Sequence, residues 1–167
     1  MSIVPVYNHP TRAISLEAFM RSLLTVCVVA STLLLGAAAN AAGEATQDEA
    51  KAMAIKAAEF LKSVGPDQAF PEFDAKDGRW HDRDLYVIVS QNGVVVAHGT
   101  NPGLIGKSVI DLRDVDGKQF VREADKITDA GWVTYKWQNP ITKVVEPKAQ
   151  YYVRVGDYRV SVGAFVK

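Results

Sequence analysis

The tightest constraint in the chain is a pair of apolar, β-branched runs. Leu85-Tyr86-Val87-Ile88-Val89-Ser90 and Val94-Val95-Val96-Ala97-His98 are held apart by Gln91-Asn92-Gly93. Asn-Gly supplies the positive φ values that a tight turn between right-twisted strands requires, so the two runs predict an antiparallel hairpin. A hairpin is not stable alone, and the rest of the chain has to cover it. Upstream, Thr46-Gln47-Asp48-Glu49 has the form of a capping box. Apolar residues then fall at Ala50, Met53, Ala54, Ala57, Phe60, Leu61 and Val64, the spacing of one helical face, until Gly65-Pro66 stops the pattern. A long helix with one apolar face must lie against something, here the sheet that follows.

Asp67 to Asp84 reads as a polar connector holding Phe70, Phe73 and Trp80. After the hairpin, Gly99 to Gly117 is rich in Gly, Asn and Pro and reads as loop, and Lys118 to Ala130 predicts a second helix ended by Gly131. Trp132 to Trp137 alternates as a strand, Asn139-Pro140 breaks it, and Ala149–Val155 and Tyr158–Val166 are two further strands joined at Gly156-Asp157. The expected fold is therefore α+β: a five-stranded antiparallel sheet, a long N-terminal helix, and a second helix between hairpin and three-strand meander.

Ahead of this domain, Leu23 to Ala39 is an apolar run preceded by Arg21 and followed by small residues. With Ala39-Asn40-Ala41 as an Ala-x-Ala site, residues 1–41 read as a secretory signal peptide cleaved after Ala41. The run is at the short limit for an uncleaved membrane anchor. Cys27 follows Val26 rather than a small residue, which argues against a lipoprotein. Met20, directly before Arg21, would start a leader of ordinary length, so translation is expected to begin there. The mature domain is then 42–167, in a periplasmic or secreted location.

Composition limits what such a domain can do. The full chain has 19 Lys and Arg against 19 Asp and Glu, and residues 42–167 keep 17 basic and 18 acidic side chains. A balanced charge offers nothing to a nucleic-acid backbone. The single cysteine, Cys27, lies in the leader, so no disulfide, thiolate zinc site or haem attachment is expected. Neither a nucleophile elbow nor an HExxH pattern occurs, and the paired acids Asp82/Asp84 and Asp114/Asp116 sit in polar segments, so no enzyme is expected. Asp111 to Gly117 has a superficial likeness to a calcium loop, but the other oxygens are misplaced for it. His81 has no partner at ligand spacing, so neither a metal nor a cofactor is expected.

Several fragments in order carry a family resemblance. They are Asp84-Leu85-Tyr86-Val87, Ala97-His98, Asn101-Pro102-Gly103-Leu104-Ile105-Gly106-Lys107 and Asp116-Gly117-Lys118. Gly131 to Pro140, Glu146-Pro147-Lys148, Tyr151 and Val155-Gly156-Asp157-Tyr158 complete them. The run from Thr46 to Phe165 resembles the single Cache domain of type 2, an extracytoplasmic sensor relative of the PAS fold. The resemblance implies a module that holds a small organic molecule, often a short carboxylate, between sheet and covering loops. Chemoreceptor Cache domains continue into a membrane helix and an output domain. Here the sequence ends at Lys167, so a free-standing form acting through a membrane receptor or transporter is expected, and the alanine-rich helix would permit a dimer.

The ligand-binding candidates are Tyr135, Trp137, Lys148, Tyr86, His98 and Tyr151. Alternation puts Val133, Tyr135 and Trp137 on one face of their strand. Tyr135 is expected to hydrogen-bond the ligand, Trp137 and Tyr86 to wall the pocket, and Lys148 to pair with a two- to four-carbon carboxylate. His98 could donate to an anion, report on pH or satisfy backbone groups, and Tyr151 could place its hydroxyl at the rim. The competing reading is an accessory subunit of an envelope complex, its pocket filled by its own side chains.

Overall fold

The computed structural model describes residues 43–166. The expectations for residues 1–41, including the Met20 start and the cleavage site, lie outside the described residues.

Helix α1, Gln47–Val64, begins with the expected capping box. The Thr46 side chain accepts from the Glu49 amide at 3.2 Å, and the Thr46 amide donates to the Glu49 carboxylate at 2.7 Å. Its buried residues are Ala50, Ala54, Ala57, Ala58 and Leu61. Four of these are alanines, which let the helix backbone approach the sheet closely. Gly65, at φ 77°, ends α1 and its amide donates to the Leu61 carbonyl.

The connector expected next is instead a second helix, α2, Pro66–Asp74. The Gly-Pro pair stops one helix and starts another. Gly65 turns the chain in a conformation that only glycine adopts freely, and proline at the first helical position loses no hydrogen bond. The helix places Phe73 in the core, edge-on to Phe60 at 6.1 Å and to Trp80 at 5.2 Å.

The run Leu85–Ser90 is likewise not one strand. β1, His81–Asp82, pairs with β2, Leu85–Tyr86, as a small ribbon, and β3, Ile88–Gln91, enters the main sheet. Leu85, Tyr86 and Val87 are all buried, so the chain bends where a flat strand would expose alternate residues. The turn into β4, Val94–His98, has Asn92 at φ 50° and Gly93 at φ 76°, the positive pair that Asn-Gly predicts.

A 3-10 turn at Pro102–Leu104 and helix α3, Phe120–Asp125, follow. α3 is shorter than expected because the Arg154 amide donates to the Asp129 carbonyl and strand β5 is already formed at Ala130. β5, Ala130–Gln138, β6, Val145–Val155, and β7, Tyr158–Phe165, complete an antiparallel sheet of order β4-β3-β7-β6-β5. β6 starts earlier than expected and includes Pro147. The Pro147 carbonyl accepts from Val166 on the β7 side, so the amide donor that proline lacks faces the place where β7 runs out.

The sheet separates two cores. On one face, α1 and α2 pack on Val87, Val89, Ala97, Val160, Val162 and Ala164. On the other, α3 contributes Phe120 and Ala124 to a smaller cluster with Val133, Tyr135 and Tyr152.

Candidate functional site

The second face of the sheet is only partly covered, and a cavity of about 450 Å³ lies between it and the segment running from Thr100 to Val121. Its floor is the alternate residues of the strands: Ile88 and Ser90 from β3, Ser161 from β7, Gln150 and Tyr152 from β6, Tyr135 and Trp137 from β5. His98 reaches the same face by way of a β-bulge. Val89 pairs with Ala97 but Ser90 pairs with Val95, leaving Val96 as the extra residue of β4. Strict alternation from Val95 would point His98 at α1, and the bulge returns it to the cavity.

Lys148 is almost wholly buried, 1% exposed, yet is not itself part of the cavity wall. Its Nζ donates to the Tyr86 hydroxyl at 3.0 Å and stands over the rings of Tyr86 and Phe165, at 4.5 and 4.9 Å from their centroids. Among the described residues no carboxylate ion-pairs with it. Tyr86 is in the wall, and because its oxygen accepts from Lys148, its own proton is available on the cavity side. Its ring stacks on His98 at 5.3 Å.

The His98 imidazole accepts at Nδ1 from the amides of Thr100 and Asn101, at 3.3 and 3.1 Å. The neutral ring therefore carries its proton on Nε2. Burial first, and the positive charge of Lys148 second, push its pKa down to about 4, so the ring stays neutral at physiological pH.

Tyr135 faces the cavity as expected, but its hydroxyl proton is already committed to Gln150 Oε1. Gln150 Nε2 donates to Ser161 Oγ at 2.7 Å, and that hydroxyl donates to the Ile88 carbonyl at 3.3 Å. Burial raises the Tyr135 phenol well above its usual range, so it remains a donor. Its ring lies flat on Phe120 at 3.9 Å, and Trp137 stands edge-on to both. The geometry gives Tyr135 a walling position, while Tyr86 and the Nε2 of His98 keep polar hydrogens for the cavity.

Tyr151 is elsewhere. Its parity in β6 is opposite to that of Lys148, and its ring packs on the α1 side, edge-on to Trp132 at 4.9 Å and under Lys51. The same parity marks Gln150 and Tyr152 as neighbours of Lys148. Both escaped the sequence reading, although the signal was present in the alternation.

The Asp111–Lys118 segment is fastened by Asp114. Its oxygens accept from the amides of Asp116 at 3.0 Å, Lys118 at 2.8 Å and Lys136 at 3.0 Å. These bonds, that from Lys136 foremost, lower its pKa. Among the described residues no group of three or more His, Cys, Asp or Glu side chains is placed to hold a metal.

The family model for single Cache domain 2 matches residues 27–166. The chain belongs to the single Cache domain 2 family. Cache domains are sensor and ligand-binding domains, and this one has the helix and five-stranded antiparallel sheet of their α+β, PAS-like fold. Among solved structures it is similar to a methyl-accepting chemotaxis protein from Vibrio parahaemolyticus, with 18% identity, TM-score 0.60, and 90% of this chain and 97% of that one covered. It is also similar to the periplasmic sensor domain of a chemotaxis protein (19% identity, TM-score 0.52, 91% and 99% covered). A third similar structure is a Cache chemosensory domain described for carboxylic acid recognition (21% identity, TM-score 0.53, 92% and 99% covered). At these identities the likeness is one of fold. None of the curated proteins matches the chain.

Proposed function

We propose that this Cache domain binds a small organic carboxylate in the cavity, on the extracytoplasmic side of the membrane, and that a membrane receptor or transporter partner reads its occupancy. The carrying observation is charge. No carboxylate lines the cavity, and a buried Lys148 ammonium stands directly behind Tyr86 without an acidic partner among the described residues. A buried cation is tolerated far better when an anion completes it. Tyr86 and the Nε2 of His98 present donors to a carboxylate, and the donation from Lys148 polarises the tyrosine hydroxyl and strengthens it as a donor.

The carboxylic acid recognition named for a similar Cache structure supports the ligand class. The apolar run ending in Ala39-Asn40-Ala41 supports export, and a purified protein whose mass begins at Ala42 is the expected outcome. The reading of a pocket filled by its own side chains has less support, since about 450 Å³ stays open.

Calorimetric titration of the purified protein with organic acids and their amides tests the proposal. The acids are expected to bind and the amides not, with binding lost in Lys148→Met. Equal affinity for acid and amide, or an unimpaired Lys148→Met, would defeat it. A pull-down from envelope extract with and without the acid that binds checks the partner, which is expected to respond to the ligand.

A further inference from the structure

The cavity is much larger than a short-chain acid needs. Its volume of about 450 Å³ equals about fifteen waters at roughly 30 Å³ each, whereas acetate displaces about two. The donors backed by the buried Lys148 charge are also at one end. Tyr86 and His98 offer them beside β3 and β4, while Phe120, Tyr135 and Trp137 form the wall at β5. β7 and β6 lie between β3 and β5, so those backbones are about 14 Å apart at the usual strand spacing, and Tyr86 narrows the gap by reaching the Lys148 ammonium of β6. A two-carbon acid seated against Tyr86 and His98 leaves most of the cavity unfilled.

The centre of that wall is apolar. The Tyr135 hydroxyl donates to Gln150 and the Gln150 amide to Ser161, while the exposed Gln138 amide and Lys143 ammonium each place one hydrogen on a backbone carbonyl. Between these groups the wall is ring surface. Phe120 and Tyr135 are stacked 6° from parallel, with Trp137 edge-on at 5.7 and 6.0 Å, an array that favours another ring against it.

Resting on the carboxylate reading above, we infer that the ligand is an aromatic monocarboxylate of the size of phenylacetate or indole-3-acetate. Its carboxylate lies at Tyr86 and His98, and its ring lies against Phe120 and Trp137.

The purified protein, unfolded and refolded to strip any small molecule, is titrated with phenylacetate, indole-3-acetate, acetate, propionate and phenylacetamide. The better of the two aromatic acids is expected to bind at least tenfold tighter than acetate, and phenylacetamide at least tenfold weaker than phenylacetate. If acetate or propionate equals the aromatic acids, the ring inference falls and the carboxylate reading stands. If phenylacetamide equals phenylacetate, the carboxylate reading falls with the carboxylate part of this one. Silence from every probe overturns both. In Trp137→Leu the preference for aromatic acid over acetate is expected to shrink about tenfold, with Phe120→Leu as the second variant should the first fail to fold. An unchanged preference in a folded variant overturns the placement of the ring.

Discussion

Lys148 pairs with Phe165 on β7 and can cross from β6 to Tyr86 because the diagonal position, Gly163, is a glycine. A Cβ on Gly163 would stand 2.7 Å from Lys148 Cε and 3.2 Å from the Ala149 carbonyl oxygen. Gly163→Ala is therefore expected to push the lysine out of place, costing about 1–3 kcal/mol in urea unfolding and weakening carboxylate binding in calorimetry. His98 makes the opposite kind of prediction, one about protons. Its folded pKa is about 4 against an ordinary value of 6.5. Between those values the unfolded chain binds the proton and the folded one does not, so this contribution to stability is complete above pH 6.5 and is lost as pH falls toward 4. The loss amounts to roughly 3 kcal/mol at low pH. Denaturation curves across that window should fall more steeply for wild type than for His98→Gln, and parallel curves would refute the assignment.

At the scale of elements, α1 depends on its cap and the sheet on its outer edge. Thr46→Ala removes the acceptor for the Glu49 amide and is expected to cost about 1 kcal/mol, read by thermal unfolding. β5 is an edge strand, and unpaired edges invite other strands. Here the loop after β4 blocks it. Asp114 accepts from the Lys136 amide, and the Lys118 ammonium donates to the Thr134 carbonyl at 2.6 Å. Asp114→Ala should reopen the edge, lowering the melting temperature and producing concentration-dependent oligomers in light scattering. Because the Asp114 pKa is lowered in the fold, wild type should drift toward the same behaviour as acid protonates it.

For the whole molecule, one sheet serves two compartments: a closed core under α1 and α2, and an open cavity under the segment from Thr100 to Val121. Ligand at about a hundred times its dissociation constant adds about 2.7 kcal/mol, a rise of several degrees in the melting temperature for a domain of this size. The sequence by itself determined the layers, since periodicity, capping and turn chemistry act over a few neighbouring residues. The capping box at Thr46, the Asn92-Gly93 turn and the shared face of Val133, Tyr135 and Trp137 were all legible. The α2 helix was not, because Gly65-Pro66 signals an end and a beginning in the same two residues. Nor was the face of His98, which depends on a bulge created by pairing with β3. Only the tertiary structure decided that Lys148 meets Tyr86, a residue 62 positions away, and that the Tyr135 proton goes to Gln150 rather than into the cavity. Alternation says which side of a strand a residue takes; what it meets there is set by the packing of distant segments against that side.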